Sequence, residues 1–365
     1  MKKTIWIVSG MLVLTFAAAF LWHRHRAPDS VPVALLAWRA SGEMVGSSVV
    51  NAGILFLEEH PETNIRMVSM NDPRSPEESM SAVIEAMARG IRFFVTAHPS
   101  NSAVAVGHLF AGPDALAIVT GATATALSGR DDFILRVVAD AEREQIAIAR
   151  HIRAMPGERL LVVQDDGNPA YTDPAFETFS AELETSGTWR IVHRKLTVSD
   201  FRPDELRSIM AENFDMLYIL AGSYQGSIGN IAQLFHHLHP EAPIMLTPWA
   251  RSRTILEMAG PAIGRIILPS QYPSRHENAM VDEYYNRFQA RFGGNMPYST
   301  NIGIRQAFEL LDRAFARGLR TPEQVKAHLL GTPVHPTSLG PVAFDRFGDV
   351  EQTFHFIDDP ERELR

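Results

Sequence analysis

From Val31 onward the chain alternates short apolar runs with amphipathic ones, and that alternation leaves few folds open. VPVALLAW reads as a strand, and Ser47 to His60 as its helix, in which NAGILFLEEH carries an apolar stripe and an acidic rim. NIRMVSM is the next strand, and the Pro-rich turn NDPRSPEES leads into the helix SMSAVIEAMARG. A strand-helix-strand-helix order predicts a parallel sheet covered by helices. The helix Asp140 to Arg153 precedes a second series, RLLVVQDD, WRIVHRKL, DMLYILAG and APIMLTPW, with helices between the strands. Two such series joined end to end predict two α/β lobes that meet between Asp140 and Gly157. RIILPSQYP, the helices Glu277 to Phe292 and Thr300 to Arg317, and a closing hairpin PVAFDRFGDVEQTFHFI turned at Asp345 to Asp349 are shared between them.

Between Ile91 and Arg130 two successive strands, IRFFV and ALAIVT, end in loops of small and hydroxylated residues, HPSNSA and GATATALSGR. In an open parallel sheet, ligands bind beyond the carboxyl ends of the strands. Ser100, Asn101 and Ser102 stand where a helix begins, so a hydroxyl there either caps that helix or reaches a small anion. Gly121, Ala122 and Thr123 form the second loop.

The 365 residues are ample for two cores, and a composition 45% hydrophobic and 21% charged is that of a globular protein. A net charge of -8 argues against nucleic acid as a partner. With no cysteine, disulfides, thiolate metal sites, cysteine catalysis and lipid attachment through an N-terminal Cys are all excluded. Lys2 and Lys3 precede an apolar run from Thr4 to Trp22, closed by His23-Arg24-His25-Arg26. The run is either a cleaved signal peptide or an uncleaved anchor; Phe20, Leu21 and Trp22 extend it past the small residues Ala17 to Ala19, which favours the anchor. In both cases the body is exported.

Other chemistry finds little support. His236, His237 and His239 in LFHHLHP read as a helix end, where His is favourable, with no acidic partner to complete a metal site. Asp165 and Asp166 follow a strand end, where they either serve as acid and base or cap the next loop. No nucleophile elbow, P-loop, zinc-protease motif or dinucleotide fingerprint occurs.

Several segments in order carry a resemblance: Gly46 and Asn51 in the first helix, NDPRSPEES, Ser100 to Ser102, GAT at Gly121 to Thr123, YILAGSYQG at Tyr218 to Gly226, Pro297-Tyr298, and AFDRFGDV. From Val31 onward the chain resembles the type I periplasmic binding proteins of the branched-chain amino acid group. That resemblance implies two Rossmann-like lobes with parallel central sheets, joined by a multi-crossover hinge that closes on a ligand, after one N-terminal hydrophobic segment. It divides the chain into a signal or anchor (1–30), a first lobe (31–141 plus 272–335) and a second lobe (142–271 plus 336–365). It also implies a non-catalytic, cofactor-free receptor in the periplasm that delivers a small polar ligand to an ABC-type permease; the apolar run would hold it at the membrane by residues 4–22. The alternative is a sensory module whose closure is read by a partner protein.

By the same resemblance, Ser100 and Thr123 would hold the ligand's carboxylate and the Gly121 carbonyl an ammonium group. Tyr171 and either Ser223 or Tyr224 would contact the ligand from the second lobe. Relatives that bind α-amino acids carry an acidic residue shortly after the strand equivalent to PIMLTP, whereas here Trp249, Ala250 and Arg251 follow. A buried ammonium without a counter-charge is costly. The expected ligand is therefore a small carboxylate, amide or aromatic acid, with Trp249 stacking on it and Arg251 or His98 supplying positive charge; otherwise Arg251 and Arg253 lie on a solvated loop.

Overall fold

The computed structural model describes residues 30–38, 44–72, 75–185, 187–293 and 297–364. The expected anchor at 4–22 lies outside these residues, as do Pro73 and Arg74 of the expected turn. Among the described residues no helix is long and apolar enough to cross a membrane.

Two separate sheets form. The first comprises β1 (Val31–Ala37), β2 (Ile65–Asn71), β3 (Phe93–Thr96), β4 (Leu116–Val119) and β5 (Ile134–Arg136), all parallel, in the order β2-β1-β3-β4-β5. Alternate side chains of β1 part cleanly, with Val33 and Leu35 in one buried cluster and Ala34 and Leu36 in another. The first face is covered by α1 (Met44–Glu59), while α2 (Pro76–Ala88) and α3 (Ser100–Val106) cover the second. Phe56 of α1 reaches Phe308 at 5.4 Å between ring centroids, and Phe93 meets Phe315 edge-on at 4.9 Å.

The chain crosses to the second lobe after β5. α4 (Ala141–Arg153) is capped by Asp140, whose carboxylate accepts the Arg143 N–H at 3.0 Å. There follow β6 (Arg159–Asp165), α5 (Pro169–Glu184), β7 (Arg190–Leu196), α6 (Pro203–Met210), β8 (Met216–Leu220), α7 (Ser227–Leu238), β9 (Ile244–Met245), α8 (Arg253–Ala259) and β10 (Ile266–Ser270). The second sheet runs β10-β9-β8-β6-β7, parallel throughout. Gly229 lets α7 lie directly on α8: a Cβ there would stand 2.3 Å from the Ile255 carbonyl oxygen.

The chain then returns. α9 (Ala279–Phe292), α10 (Ser299–Ala316) and α11 (Pro322–Gly331) complete the first lobe, whose core takes Tyr284, Phe288 and Phe308 from α9 and α10 and Val325 from α11. Leu339, Val342 and Val350 join that same core, and only then does β11 (His355–Ile357) cross back to pair antiparallel with β10. The expected closing hairpin is thus replaced. Phe344 and Val350 form a single bridge around the Asp345 to Asp349 turn, and HFI adds to the other lobe's sheet.

Among the described residues three chain crossings link the lobes, near Val137 to Asp140, at Gln271, and between Val350 and His355. They are tied to one another. The Gln271 carboxamide accepts the Ala139 N–H at 3.0 Å, and the Gln352 amide donates to the Val137 carbonyl at 3.0 Å. Buried Arg136 fixes the third crossing by donating to Asp349, the Ala124 carbonyl and Ser128.

Candidate functional site

The lobes meet at the carboxyl ends of β3, β4, β6 and β8, where the loops carry the residues that the sequence singles out. Ser100, Gly121 and Thr123 from the first lobe, and Tyr171, Tyr224 and Trp249 from the second, line one pocket of about 20 Å³. That is room for about one water molecule. Ser223 lines an adjoining cavity instead, so the structure separates the two alternatives at the end of YILAGSY.

The polar atoms of this pocket fall into two groups. Ser100 is buried and its hydroxyl accepts the Ala124 N–H at 3.2 Å, a bond that ties the two strand-end loops together. Its capping role is absent, because Pro99 occupies the N-cap position of α3. By contrast the hydroxyls of Thr123 and Thr300, 1% and 3% exposed, have no hydrogen-bond partner within the protein. A buried hydroxyl left unpaired costs about 1 to 3 kcal/mol, so each is a vacant donor facing the pocket.

The aromatic wall is held from behind. Tyr171 is buried and its hydroxyl donates to Glu144 of α4, which also accepts the Gln145 amide at 2.9 Å. Tyr218 donates to Gln145 at 2.8 Å, closing a buried network behind the pocket. Burial pushes the Glu144 carboxyl up to about 7, against the Tyr171 and Gln145 hydrogen bonds that favour its charged form. Burial likewise raises the Tyr171 phenol well above its usual range, with the neighbouring Glu144 adding to the effect. Gly222 gives the ring its place, since a Cβ there would lie 2.6 Å from Tyr171 Cδ1.

Of the two cations proposed from the sequence, one is turned away from the pocket and the other is paired. Arg251 is fully buried, but its guanidinium meets Glu363 at 2.5 Å and Ser270 at 3.0 Å, and it does not line the pocket. The solvated-loop alternative fails for Arg251 as well. Arg253 donates to Glu257 and to the Leu364 carbonyl. His98 does line the pocket, yet its Nε2 is 2.8 Å from Asp72, a carboxylate also bonded by Ser79. Among the described residues no acidic side chain lines the pocket.

Two polar lining residues were not foreseen, Asn168 and Thr300. Asn168 closes the short loop between β6 and α5, the same kind of strand-end loop as that of Ser100, whereas Thr300 lies in the first turn of α10. Asn168 also bridges the lobes. Its side-chain oxygen accepts the Asn101 N–H at 3.2 Å, and the Asn101 side chain accepts the Ala170 N–H at 2.9 Å. The Tyr224 and Tyr298 rings meet edge-on across the same interface at 5.0 Å.

Elsewhere, the paired carboxylates after β6 resolve into a loop cap, with Asp165 Oδ1 accepting the N–H groups of Gly167 and Val198 at 3.0 Å each. His239 ends α7 and its ring contacts the Met210 carbonyl at 2.6 Å.

Residues 38–356 match the family model described as periplasmic binding protein. No curated protein sequence matches the chain. Among solved structures, the fold is similar to a leucine-binding protein, LivK, from Thermotoga maritima, at 18% identity and a TM-score of 0.80, covering 90% of this chain and 96% of that one. It is also similar to an ABC transporter solute-binding protein from Rhodopseudomonas palustris bound to 3,4-dihydroxybenzoic acid (18% identity, TM-score 0.78, 90% and 92% covered). A third is the Streptococcus pneumoniae protein LivJ bound to isoleucine, at 13% identity and a TM-score of 0.77, with 91% and 97% covered.

Proposed function

This chain belongs to the periplasmic binding protein family, and on that premise we propose that it captures a small carboxylate, amide or aromatic acid between its lobes for an ABC-type permease. The observation that carries the reading is the pair of buried, unpartnered hydroxyls of Thr123 and Thr300 in a pocket walled by Tyr171, Tyr224 and Trp249 and lined, among the described residues, by no acidic side chain. Hydroxyl donors satisfy a carboxylate or amide oxygen, and aromatic faces cover an apolar or aromatic body. An α-amino group would find no counter-charge among the lining residues. Ser100, Gly121 and Thr123 would grip the oxygens while Tyr171, Tyr224 and Trp249 cover the rest; Ser223 would act from the adjoining cavity. The protein would act by binding alone, the lobes parting from this closed arrangement, which leaves about 20 Å³, to admit the ligand and then closing on it.

The periplasmic location goes with the family. We assign residues 4–22 as an anchor to the cytoplasmic membrane, supported by their apolar length and the basic flank after Trp22. Retention with membranes after osmotic shock, at full length, is expected; soluble release with a new N-terminus near Phe20 to Ala27 would overturn the anchor.

The ligand reading is tested by calorimetry and thermal shift against benzoate, 4-hydroxybenzoate and 3,4-dihydroxybenzoate on one side and leucine and isoleucine on the other, the ligands of similar structures. A ligand that binds only the native state raises the melting temperature. Stabilisation by the acids is expected. Stabilisation by the amino acids alone would overturn the reading.

A further inference from the structure

The larger space at the lobe interface is not the aromatic pocket. A second cavity of about 220 Å³ adjoins it, sharing Pro99, Asn168 and Gly222 as common walls. It is about ten times the volume of the inner pocket, which holds about one water. Its chemistry is also different. Its further lining comes from Asn101 of the first lobe and Asp165, Ser199, Ser223 and Gln225 of the second, with no aromatic ring.

Two features give this cavity a direction. The Ser223 hydroxyl oxygen is buried and has no hydrogen-bond partner within the protein. Among the described residues Asp165 is the one acidic residue lining either cavity, and its side chain is held in place by the Gly167 and Val198 N–H groups on Oδ1. The two ends thus differ: hydroxyls and aromatic rings at the inner end, and a carboxylate with hydroxyls and carboxamides at the outer end.

We propose that this second cavity is a distal subsite, and that the ligand is elongated: its acid or amide head sits in the inner pocket and its far end carries a hydrogen-bond donor, an ammonium, hydroxyl or primary amide, directed to Asp165 and Ser223. The proposal rests on the inner-pocket reading for the head group and adds the specificity of the tail. A carboxylate tail is rejected, because it would stand against Asp165 without a cation among the lining residues. An apolar tail is accepted poorly, because it would leave the Ser223 hydroxyl without a partner and strip water from the Asp165 carboxylate.

The test is calorimetry on the full chain with a matched set of para-substituted benzoates: benzoate itself, para-ethylbenzoate, para-aminomethylbenzoate, para-carbamoylbenzoate and terephthalate. Two head-less probes, para-methylbenzylamine and para-methylbenzamide, accompany them. The donor-tailed acids are expected to bind at least about tenfold tighter than para-ethylbenzoate, with terephthalate weakest, as for hydrogen bonds to a charged group. In Ser199→Leu, which fills the distal cavity from an exposed position, that ratio should collapse towards one. Ser223→Ala should lower it in the same direction. Equal affinities for ethyl and donor tails, or a ratio untouched by both substitutions, would overturn the distal subsite while leaving the inner pocket standing. Binding of the head-less donors, lost in Ser199→Leu, with no binding of benzoate, would keep the subsite and overturn the carboxylate head. Failure of every probe to bind would overturn both.

Discussion

Asn101 and Asn168 clasp each other across the lobe interface. The Asn101 N–H reaches the Asn168 side-chain oxygen at 3.2 Å, and the Asn101 side chain takes the Ala170 N–H at 2.9 Å. Since α3 and α5 belong to different lobes, both bonds must break when the lobes part. Asn101→Ala removes one of them, worth about 0.5 to 1.5 kcal/mol. The free protein should then populate a more open form, visible as a larger radius of gyration in solution scattering, and ligand affinity should fall by the corresponding factor of about 2 to 12. An unchanged scattering profile together with unchanged affinity would remove the clasp from any part in closure.

Thr123 separates binding from folding. Its hydroxyl makes no hydrogen bond within the protein, so Thr123→Val should leave denaturant stability unchanged or slightly raised. Binding of whichever benzoate stabilises the parent protein should weaken by about 1.5 to 3 kcal/mol, the worth of a hydrogen bond to a charged group. Full affinity in the variant would show that the Thr123 hydroxyl is not a ligand donor.

Glu144 makes stability depend on pH in a definite direction. Its carboxyl is raised by burial from 4.5 to about 7, so between those values the folded protein holds a proton that the unfolded chain has released. Stability from this group is complete below about 4.5 and is lost as pH rises through about 7, by about 3 kcal/mol in all. Glu144→Gln keeps an acceptor for the Tyr171 hydroxyl and carries no charge. Urea unfolding should find it close to the parent at pH near 5 and more stable at pH near 8. Parallel pH profiles for the two proteins would show that Glu144 is not the group responsible.

Arg251 and Glu363 are both fully buried and lie 2.5 Å apart. Glu363→Gln leaves the guanidinium without its counter-charge and should cost about 3 to 5 kcal/mol in a denaturant titration. The double change Arg251→Met with Glu363→Leu should recover most of that loss, since an apolar pair of similar bulk avoids burying either charge. A loss below about 1 kcal/mol in the single variant would mean that water reaches the pair.

What the sequence made legible follows from the range of the interactions involved. β3, β4 and the loops after them are local, so Ser100, Gly121 and Thr123 could be picked out from strand patterning and small-residue loops, and all three line one pocket. Asn168 stands in the strand-end loop after β6, three residues before Tyr171, and that pattern could have found it; Thr300 was missed because it starts a helix far along the chain and reaches the pocket only through the fold. Arg251 looked like a free cation beside Trp249 because its partner, Glu363, is 112 residues away. The FHF alternation near the end reads equally well as the second arm of a hairpin or as an edge strand of another sheet. Pattern fixes which side chains are buried, not which sheet receives them. Here Val350 stays in the first core while His355–Ile357 pairs with β10.

The interrupted first lobe has a consequence for how the chain acquires its structure as it emerges. The sheet β1 to β5 is complete by Arg136, yet α9 and α10, which supply Tyr284, Phe308 and Phe315 to one of its faces, lie more than a hundred residues downstream. Until they arrive, Val33, Leu35, Val95 and Ile118 stand partly uncovered on that face. The second lobe needs only the uninterrupted run from Ala141 to Ser270 to assemble its parallel strands, with β11 and Glu363 added last. Contacts of shorter sequence separation form faster, so the domain made second is the one placed to fold first. A chain halted after Ser270 would therefore present one nearly finished lobe and one sticky half-sheet, the state most in need of a holding chaperone during export.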